Sequence, residues 1–339
     1  MAKKIIFFIV IILVILITSF FYLWNQAATS TGNIDSAKSF EIKKGDDALA
    51  IAKNLEKEGI IKDDLYFNFY VWKKDLHGKI IAGEYLFAAG ITIPDVAHMI
   101  TKGEAVSNQK RITFPEGWEI KDMKVRMEKE GLNLEGFDEL AKDPKYFQEK
   151  YGYDFLKDIP AGYDLEGFLF PDTYFFFADA SAEAIIKKML DNFDSKLSVE
   201  LRDEIESQGK LVYEIVTLAG ILEGEVKGRE DKKMVSGLFW NRIKSGQALQ
   251  SCATLAYILG ENKRQYSYAD TQAPSPYNTY LHPGLPPGPI SNPGLESIEA
   301  AVYPTNNDYN YFLNNPETGK TVFSKTLEEH NANKIKNGL

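Results

Sequence analysis

The run Leu218-Ala-Gly-Ile-Leu-Glu-Gly-Glu225 ends a long apolar segment that begins near Leu211. Apolar residues recur through this segment with the period of an α-helix, so the spacing predicts a helix over 211–226 with a wide apolar arc. Two carboxyl groups, Glu223 and Glu225, therefore stand where a helix leaves an apolar environment. A carboxyl group beside apolar walls keeps its proton to higher pH and can donate it, which is the first requirement for acid-assisted cleavage of a glycosidic bond.

Helical geometry does not choose between these two glutamates. Residues two positions apart differ by about 200° around a helix, so Glu223 and Glu225 cannot share one site as a coupled pair. Each lies at one margin of the apolar arc, with Glu225 on the side of Leu218. Many helices end in glutamates that merely face solvent, and the pattern alone favours that interpretation over catalysis.

The N-terminus carries an uninterrupted apolar run from Ile5 to Trp24, preceded by Lys3 and Lys4. Twenty residues at helical rise cover about 30 Å, enough to cross the core of a bilayer. The run is longer than the apolar part of a cleaved signal peptide, about 7–15 residues, and it ends in aromatic residues typical of a membrane interface. We therefore expect a retained single-pass anchor over 5–24 rather than a cleaved signal or a buried core helix. Residues 1–4 would lie in the cytoplasm and the bulk of the chain in the periplasmic or extracytoplasmic space of the cell (inner) membrane.

Composition excludes several functional classes. The net charge of −9 argues against a nucleic-acid partner, because such binding depends on Lys and Arg neutralising phosphate. The single cysteine, Cys252, excludes an internal disulfide. The four histidines show no metal-ligand spacing, and no phosphate loop or dinucleotide fingerprint is present. We expect neither a metal nor a cofactor.

The rest of the chain is long enough for two domains. Small polar residues over 25–37 predict a flexible linker. Short strands and helices over 38–107 predict a small α+β module, and 108–339 predicts a larger α+β domain. Within the larger domain, the Pro- and Gly-rich stretch Gly284–Gly294 predicts a shaped loop of the kind that often carries function.

Two further stretches offer polar groups for a binding cleft. Asn241 and Arg242 lie on the next predicted helix and suit either sugar hydroxyls or the orientation of an acid, with an ordinary surface contact as the alternative. The run Pro276-Tyr-Asn-Thr-Tyr280 combines aromatic faces with amide and hydroxyl groups, which is how proteins bind sugars. Such a run is equally compatible with a structural loop, but the Pro/Gly stretch that follows it favours function.

Taken in order, these motifs resemble the endolytic murein transglycosylase family, also called MltG or YceG-like. The succession follows the family order across nearly the whole chain, after the N-terminal anchor, and favours catalysis over a solvent-facing helix end. The matching motifs are Ala82-Gly-Glu-Tyr85, Glu116-Gly-Trp118, Gly167-Phe-Leu-Phe-Pro-Asp-Thr-Tyr174, Leu222-Glu-Gly-Glu225, Asn241-Arg242, Leu249-Gln-Ser251, Tyr277-Asn-Thr-Tyr280, Gly284-Leu-Pro-Pro-Gly288 and Asn292-Pro-Gly294.

The resemblance implies a membrane-anchored enzyme that cuts the β-1,4 bond between N-acetylmuramic acid and N-acetylglucosamine in nascent peptidoglycan strands. It would leave 1,6-anhydromuramoyl ends and work beside peptidoglycan synthases. The family's catalytic glutamate falls on Glu225, with Glu223 supporting it, and the region 38–107 matches a LysM-like glycan-binding module. The remaining residues that the resemblance places in or behind the substrate cleft are Asn241, Arg242, Gln250, Tyr277, Asn278, Thr279 and Tyr280.

One position departs from the family. Where relatives commonly carry Asp after Leu-Gln-Ser/Thr, this chain has Cys252. The missing carboxylate would either slow the enzyme, be replaced by another acid such as Asp270, or cost only a helix cap, about 0.5–2 kcal/mol of stability. Two alternatives to the lytic enzyme therefore remain open: a glycan-binding scaffold with weakened chemistry, and a hydrolytic muramidase.

Overall fold

A computed structural model of the chain describes residues 2–103, 109–263, 265–315 and 318–338. Helices and short strands mix throughout, which confirms the α+β class. Two 3₁₀ turns, His77–Lys79 and Asp154–Leu156, accompany the regular elements. The helices and strands are α1 (Ala2–Thr29), β1 (Lys38–Ile42), α2 (Ala48–Lys57), α3 (Asp64–Lys73), β2 (Gly83–Phe87), α4 (Ile93–Lys102), β3 (Gln109–Thr113), α5 (Ile120–Lys129), α6 (Phe137–Ala141), α7 (Pro144–Tyr151), β4 (Thr173–Phe177), α8 (Ala182–Lys196), α9 (Val199–Ser207), α10 (Val212–Glu225), α11 (Arg229–Lys244), α12 (Cys252–Leu259), α13 (Tyr268–Thr271), α14 (Leu295–Val302), β5 (Tyr311–Asn314), β6 (Thr321–Ser324) and α15 (Leu327–Lys336).

The chain divides into two compact units. Unit 1 comprises Met1–Arg111 and Phe175–Ala178, and unit 2 comprises Ile112–Tyr174 and Asp179–Leu339. The domain boundary predicted between 107 and 108 lies within 104–108, outside the described residues. The last three residues of β4 and Ala178 after it belong to unit 1. This segment is too short to be marked by a change of composition in the sequence.

Unit 1 is built on an antiparallel pair of strands and three short helices. Strand β1 pairs with β2 so that Phe40 lies opposite Tyr85. Helices α2, α3 and α4 bury one face each, and Leu55 and Phe67 are fully buried in the shared core. The Tyr85 hydroxyl donates to the carbonyl of Ile81 at 2.6 Å, so the polar group of this buried side chain has a hydrogen-bond partner.

Helix α1 is long and apolar enough to cross a membrane over Ile11–Thr29, where its mean hydropathy is 1.8. A signal sequence near an N-terminus has the same properties. The C-terminal end of the helix packs on α3, where the Trp24 ring stacks on Tyr70 with centroids 5.8 Å apart. Ala27 is fully buried there.

Residues 25–33 differ from the flexible linker expected over 25–37. Helix α1 continues to Thr29, and the amide of Asn33 donates to the carbonyl of Gly59 at 2.8 Å. Thr31 forms an isolated bridge with Thr92. Small polar residues are compatible both with a flexible linker and with a segment packed closely on a domain. Here the segment is packed closely, because a Cβ on Gly32 would lie 2.1 Å from the carbonyl oxygen of Ile60.

Helix α10 forms the centre of unit 2. The helix predicted over 211–226 is confirmed, and every residue from Tyr213 to Leu222 except Glu214 is buried. It packs against α9, α11, α12 and α14. Strands β5 and β6 form an antiparallel pair, and β3 pairs with β4.

The stretch 284–294 contains no regular element, as its prolines and glycines predict. It is nonetheless fixed in place. Ile290 is buried, and the fully buried Asn292 accepts from the amides of Gly167 and Leu169 at 3.0 and 2.9 Å. Its side-chain nitrogen donates to Glu166 at 2.6 Å. The loop is therefore a part of the core of unit 2.

Candidate active site

Glu225 is the last residue of α10, and its carboxyl group meets the first turn of α12. One carboxyl oxygen accepts a hydrogen bond from the Ser251 hydroxyl at 2.5 Å and another from the amide of Ala253 at 2.9 Å. Both donors lie at the N-terminus of α12, where free amides and the helix dipole stabilise negative charge. The position of Glu225 is thus defined by two helices that meet end to end.

Opposing influences act on the proton of Glu225. Burial raises the pKa of the carboxyl group above its usual value, while the hydrogen bonds from Ser251 and from the Ala253 and Cys252 amides act to lower it. The positive charge of Arg242 also lowers it, and burial prevails. The side chain is half-buried, so a ligand has access to it. A raised pKa keeps the proton on the carboxyl group to higher pH, which favours a role as a proton donor.

The glycine between the two glutamates allows this close meeting of helices. A Cβ on Gly224 would lie 2.8 Å from the Cβ of Ala253, nearer than real methyl contacts allow. One turn earlier, a Cβ on Gly220 would lie 3.2 Å from the carbonyl oxygen of Ser291 in the shaped loop. Both glycines act through the space they leave, because neither has a positive φ.

Glu223 points to a different set of partners. It forms an ion pair with Lys232 of α11 at 3.0 Å, and the two side chains are only 11% and 5% exposed. Its other oxygen accepts from the amide of Gly294 at 3.0 Å and from the Ser297 hydroxyl at 2.7 Å, both at the start of α14. Glu223 therefore ties α10, α11 and α14 together, on the side of the helix away from Glu225.

Asn278 and Thr279, both expected in the cleft, are buried and make hydrogen bonds to backbone. The backbone oxygen of Thr279 accepts from the amide of Gln250 at 2.9 Å, and its hydroxyl accepts from the amide of Ser251 at 3.0 Å. Asn278 is fully buried and donates to the carbonyls of Thr271 and Ala273. Thr279 therefore holds the segment that carries Ser251, while Asn278 fixes the end of α13 and the residues that follow it.

Gln250 and Tyr280 lie at the border of the site. Gln250 has an exposed side chain and a φ of +49°, a left-handed conformation that costs a non-glycine residue about 1–3 kcal/mol and tends to occur at functional sites. The hydroxyl of Tyr280 lies 3.4 Å from the sulfur of Cys252. The charge of Glu225 also contributes to the raised pKa of Tyr280, so these two side chains lie near each other.

Asn241 and Arg242 brace the outer part of the site. The guanidinium of Arg242 donates to the carbonyls of Leu249 and Asn310, both at 2.5 Å. Asn241 donates to the carbonyl of Asn307 at 2.9 Å. Their main contacts are to backbone, and Arg242 adds a positive charge that acts on Glu225.

Tyr277 lines a cavity of about 200 Å³ in unit 2. Tyr257 also lines it, and this residue follows Ala253 by four positions along α12, a rise of about 6 Å. The two rings are 5.1 Å apart, and burial raises the pKa of Tyr277 to about 12, so its hydroxyl stays a hydrogen-bond donor. The complete lining is Gly162, Tyr163, Asp164, Glu166, Tyr213, Tyr257, Tyr277 and Pro289.

Cys252 is the first residue of α12, and Ser251 occupies the cap position before it. An acid at 252 would stand in the first turn rather than serve as the cap. Asp270 does not replace that acid, because its carboxylate caps α13 and binds Lys263 at 2.9 Å. The Lys263 hydrogen bond lowers the pKa of Asp270 to about 2, so the group is ionised.

Sequence reasoning did not single out three residues that touch or surround Glu225. Ser251 was visible as part of the Leu-Gln-Ser motif, although nothing in the pattern showed that its hydroxyl reaches Glu225. Asn314 donates to the backbone oxygen of Glu225 at 2.6 Å from 89 residues away. The pKa of Tyr266 is raised by burial and by the charges of Cys252 and Glu225. Neither Asn314 nor Tyr266 carries a local signal.

The fold and the site define an α+β protein with a buried central helix whose last residue, Glu225, carries a half-buried carboxyl group. The chain belongs to the YceG-like family, whose model matches residues 40–336.

Its relatives include proteins with assigned activities. The endolytic murein transglycosylase of Bacillus subtilis (strain 168) is 34% identical over 310 residues, which cover 88% of this chain and 84% of that protein. The endolytic murein transglycosylase of Streptococcus pneumoniae (strain ATCC BAA-255 / R6) is 31% identical over 314 residues, covering 86% of this chain and 57% of that protein. The 2.6 Å crystal structure of a yceG-like protein from Listeria monocytogenes is similar with a TM-score of 0.60 at 35% identity, covering 88% of this chain and 99% of that one.

Proposed function

We propose that this protein is an endolytic lytic transglycosylase of peptidoglycan, held in the membrane by its N-terminal helix. It cuts the β-1,4 bond between N-acetylmuramic acid and N-acetylglucosamine in nascent glycan strands and leaves 1,6-anhydromuramoyl ends. The observation that carries the proposal is the half-buried carboxyl group of Glu225, with its raised pKa, at the N-terminus of α12. Family membership and the activity named for the relatives support it.

Glu225 acts twice in the proposed reaction. Its protonated carboxyl group donates to the glycosidic oxygen as the bond from that oxygen to the muramoyl C1 breaks, and the 2-acetamido group stabilises the positive charge that develops on the sugar. The Glu225 carboxylate then accepts the proton of the C6 hydroxyl while the C6 oxygen bonds to C1. The proton balance closes without water.

A single carboxyl group can serve both steps because its surroundings favour both of its charge states in turn. Burial favours the protonated form before the first transfer. The Ser251 hydroxyl and the Ala253 amide stabilise the carboxylate that the transfer leaves behind. No second, water-activating carboxylate at the spacing of an inverting glycosidase is required.

The other residues divide into two roles. Gln250, Tyr280 and Tyr277 contact the glycan, the last from the tyrosine-lined cavity. A second group of residues holds the surrounding backbone in place through hydrogen bonds, namely Thr279, Asn278, Asn241, Arg242 and Glu223.

The N-terminal part places this chemistry at the membrane. Helix α1 serves as a single-pass anchor with its N-terminus in the cytoplasm, supported by its length and apolar composition and by the lysines that precede the apolar run. The strand–helix–helix–strand order of β1, α2, α3 and β2 supports a LysM-like module that binds glycan. Peptidoglycan synthases are the proposed partners, since the substrate is the strand they produce.

Digestion of uncrosslinked glycan strands in ¹⁸O-water tests the proposed activity. We expect fragments with anhydromuramoyl ends that contain no ¹⁸O, as read by mass spectrometry. Reducing ends that carry ¹⁸O would identify a hydrolytic muramidase. Strands that are bound but remain intact would identify a glycan-binding scaffold.

A further inference from the structure

Helix α3 of unit 1 has a second apolar face that lies outside the core of the unit. Phe67 and Val71 on one face are fully buried. Leu65, Phe69 and Trp72 recur at the spacing of a second helical face, and Leu65 and Trp72 are 57% and 64% exposed. A helix that is apolar on both faces requires something to cover the second one. We call Leu65, Phe69 and Trp72 the α3 stripe.

The α3 stripe is continuous with the end of α1. The Phe69 ring lies edge-on to Phe20 and to Trp24, with centroids 5.5 and 6.5 Å apart, and it lies 6.1 Å from the Trp72 ring. Phe21 and Tyr22 of α1 are exposed beside these contacts. The apolar surface of the helix therefore extends sideways onto α3 without a break.

The depth of these contacts follows from the length of the apolar run. If Ile5 to Trp24 crosses the bilayer core, about 30 Å at helical rise, then Phe20 and Trp24 lie within its last five residues, next to the outer interface. Residues that touch their rings lie at the same level. Aromatic residues favour this interfacial region, and Trp favours it strongly.

Two lysines complete the pattern of an interfacial helix. The ammonium group of Lys73 lies 5.4 Å from the centre of the Phe20 ring, and that of Lys74 lies 5.6 Å from the centre of the Trp24 ring. Both side chains are exposed at the C-terminal end of α3. Apolar and aromatic side chains in the membrane, with lysines reaching to the headgroups beside them, are typical of helices that lie in a bilayer interface.

We propose that the α3 stripe binds the interfacial region of the phospholipid bilayer that α1 crosses, so that unit 1 rests on the membrane rather than standing away from it. The inference rests on the anchor in the proposed function. The continuity of the stripe with α1 is what selects lipid as its occupant. Because residues 30–33 are hydrogen-bonded to unit 1, no free linker separates α1 from the module.

Depth-dependent quenching of tryptophan emission tests this binding. The full chain is placed in phospholipid nanodiscs whose lipids carry a quencher either near the headgroup or deep in the acyl chain. Wild type is compared with Trp72→Phe and with Trp24→Phe, so the difference isolates each residue while Trp118 and Trp240 give a constant background. We expect the shallow quencher to reduce Trp72 emission as strongly as Trp24 emission, and the deep quencher to reduce both less.

The possible results distinguish membrane binding by the α3 stripe from membrane insertion of α1. Quenching of Trp24 without quenching of Trp72 would overturn the inference and leave the anchor intact. Absence of quenching at both residues would remove the anchor, and the inference with it. Trp72 emission that is shifted to the blue but unquenched by either lipid would show a protein surface on the stripe, and would equally overturn the inference.

Discussion

Glu223 and Glu225 stand two residues apart in one helix, yet their partners give them different tasks. Glu223 is held by a buried ammonium and by the start of α14, whereas Glu225 accepts hydrogen bonds from a hydroxyl and a backbone amide. The ion pair and the α14 contacts tie Glu223 into the packing of three helices, whereas burial raises the pKa of Glu225 and favours its protonated form. The difference between the two carboxyl groups arises from contacts with residues that lie far away in the sequence.

Substitution of Cys252 by Asp should change the pH dependence of cleavage. Burial, followed by the charge of Glu225, raises the pKa of the Cys252 thiol, so the two side chains interact electrostatically. A carboxylate at 252 would act on Glu225 as a like charge and raise its pKa. Because the general acid is lost as pH rises through that pKa, the basic limb of the rate profile should move upwards by about one pH unit.

Cys252→Ser provides the matched control for this experiment, since it changes the side chain without adding charge. We expect its basic limb to coincide with that of wild type in initial-rate measurements. If Asp and Ser variants gave the same profile, position 252 would have no electrostatic influence on the acid.

Removal of the Glu223 charge should affect stability rather than chemistry. Glu223→Gln leaves the buried Lys232 ammonium without its counter-ion, a loss of about 3–5 kcal/mol in the free energy of unfolding. We expect a lower denaturation midpoint in detergent, together with an unchanged pH profile in the protein that remains folded. The double variant Glu223→Gln/Lys232→Met should recover much of the loss. A Glu223→Gln protein of normal stability that no longer cleaves strands would instead make Glu223 the acid.

At the scale of elements, the site depends on the contact between the end of α10 and the start of α12. Gly224 permits that contact because it has no side chain, and the contact brings the Ala253 amide within hydrogen-bond distance of Glu225. The Thr279 backbone and hydroxyl hold the preceding loop in register. The Glu225 carboxyl group is therefore positioned by helix packing.

Gly224→Ala tests this packing. The added methyl group would meet Ala253 at 2.8 Å and push α12 away from α10. Overpacking of this kind costs about 1–3 kcal/mol, and we expect cleavage to fall further than stability because the Ala253 hydrogen bond is lost. Gly78→Ala is the control, since a Cβ there meets nothing within 4 Å. Wild-type activity in Gly224→Ala, at the melting temperature of wild type, would show that the two helices can separate without consequence.

At the scale of the whole molecule, the sequence predicted the elements better than their contacts. The long apolar run predicted helix α10, although the structure buries all faces of that helix from Ile215 to Leu222 and not a single arc. The prolines and glycines of 284–294 predicted its irregular course. The choice between Glu223 and Glu225 was not readable from the helix, since Lys232 and Ala253 decide it and neither is a helical neighbour. The inward turn of Asn278 and the docking of residues 25–33 likewise depend on backbone groups elsewhere in the chain.

The most direct test of the account compares release of anhydromuramoyl-ended fragments by wild type and by Glu225→Gln, with the full chain acting on nascent strands. Glutamine keeps the shape of the side chain but can neither donate nor accept the proton. Glu230→Gln is the control, because that carboxylate is 81% exposed at the start of α11. We expect Glu225→Gln to lose at least about 100-fold in rate while Glu230→Gln keeps the wild-type rate. Anhydro ends formed by Glu225→Gln at the wild-type rate would contradict the assignment of Glu225 as the catalytic acid and base.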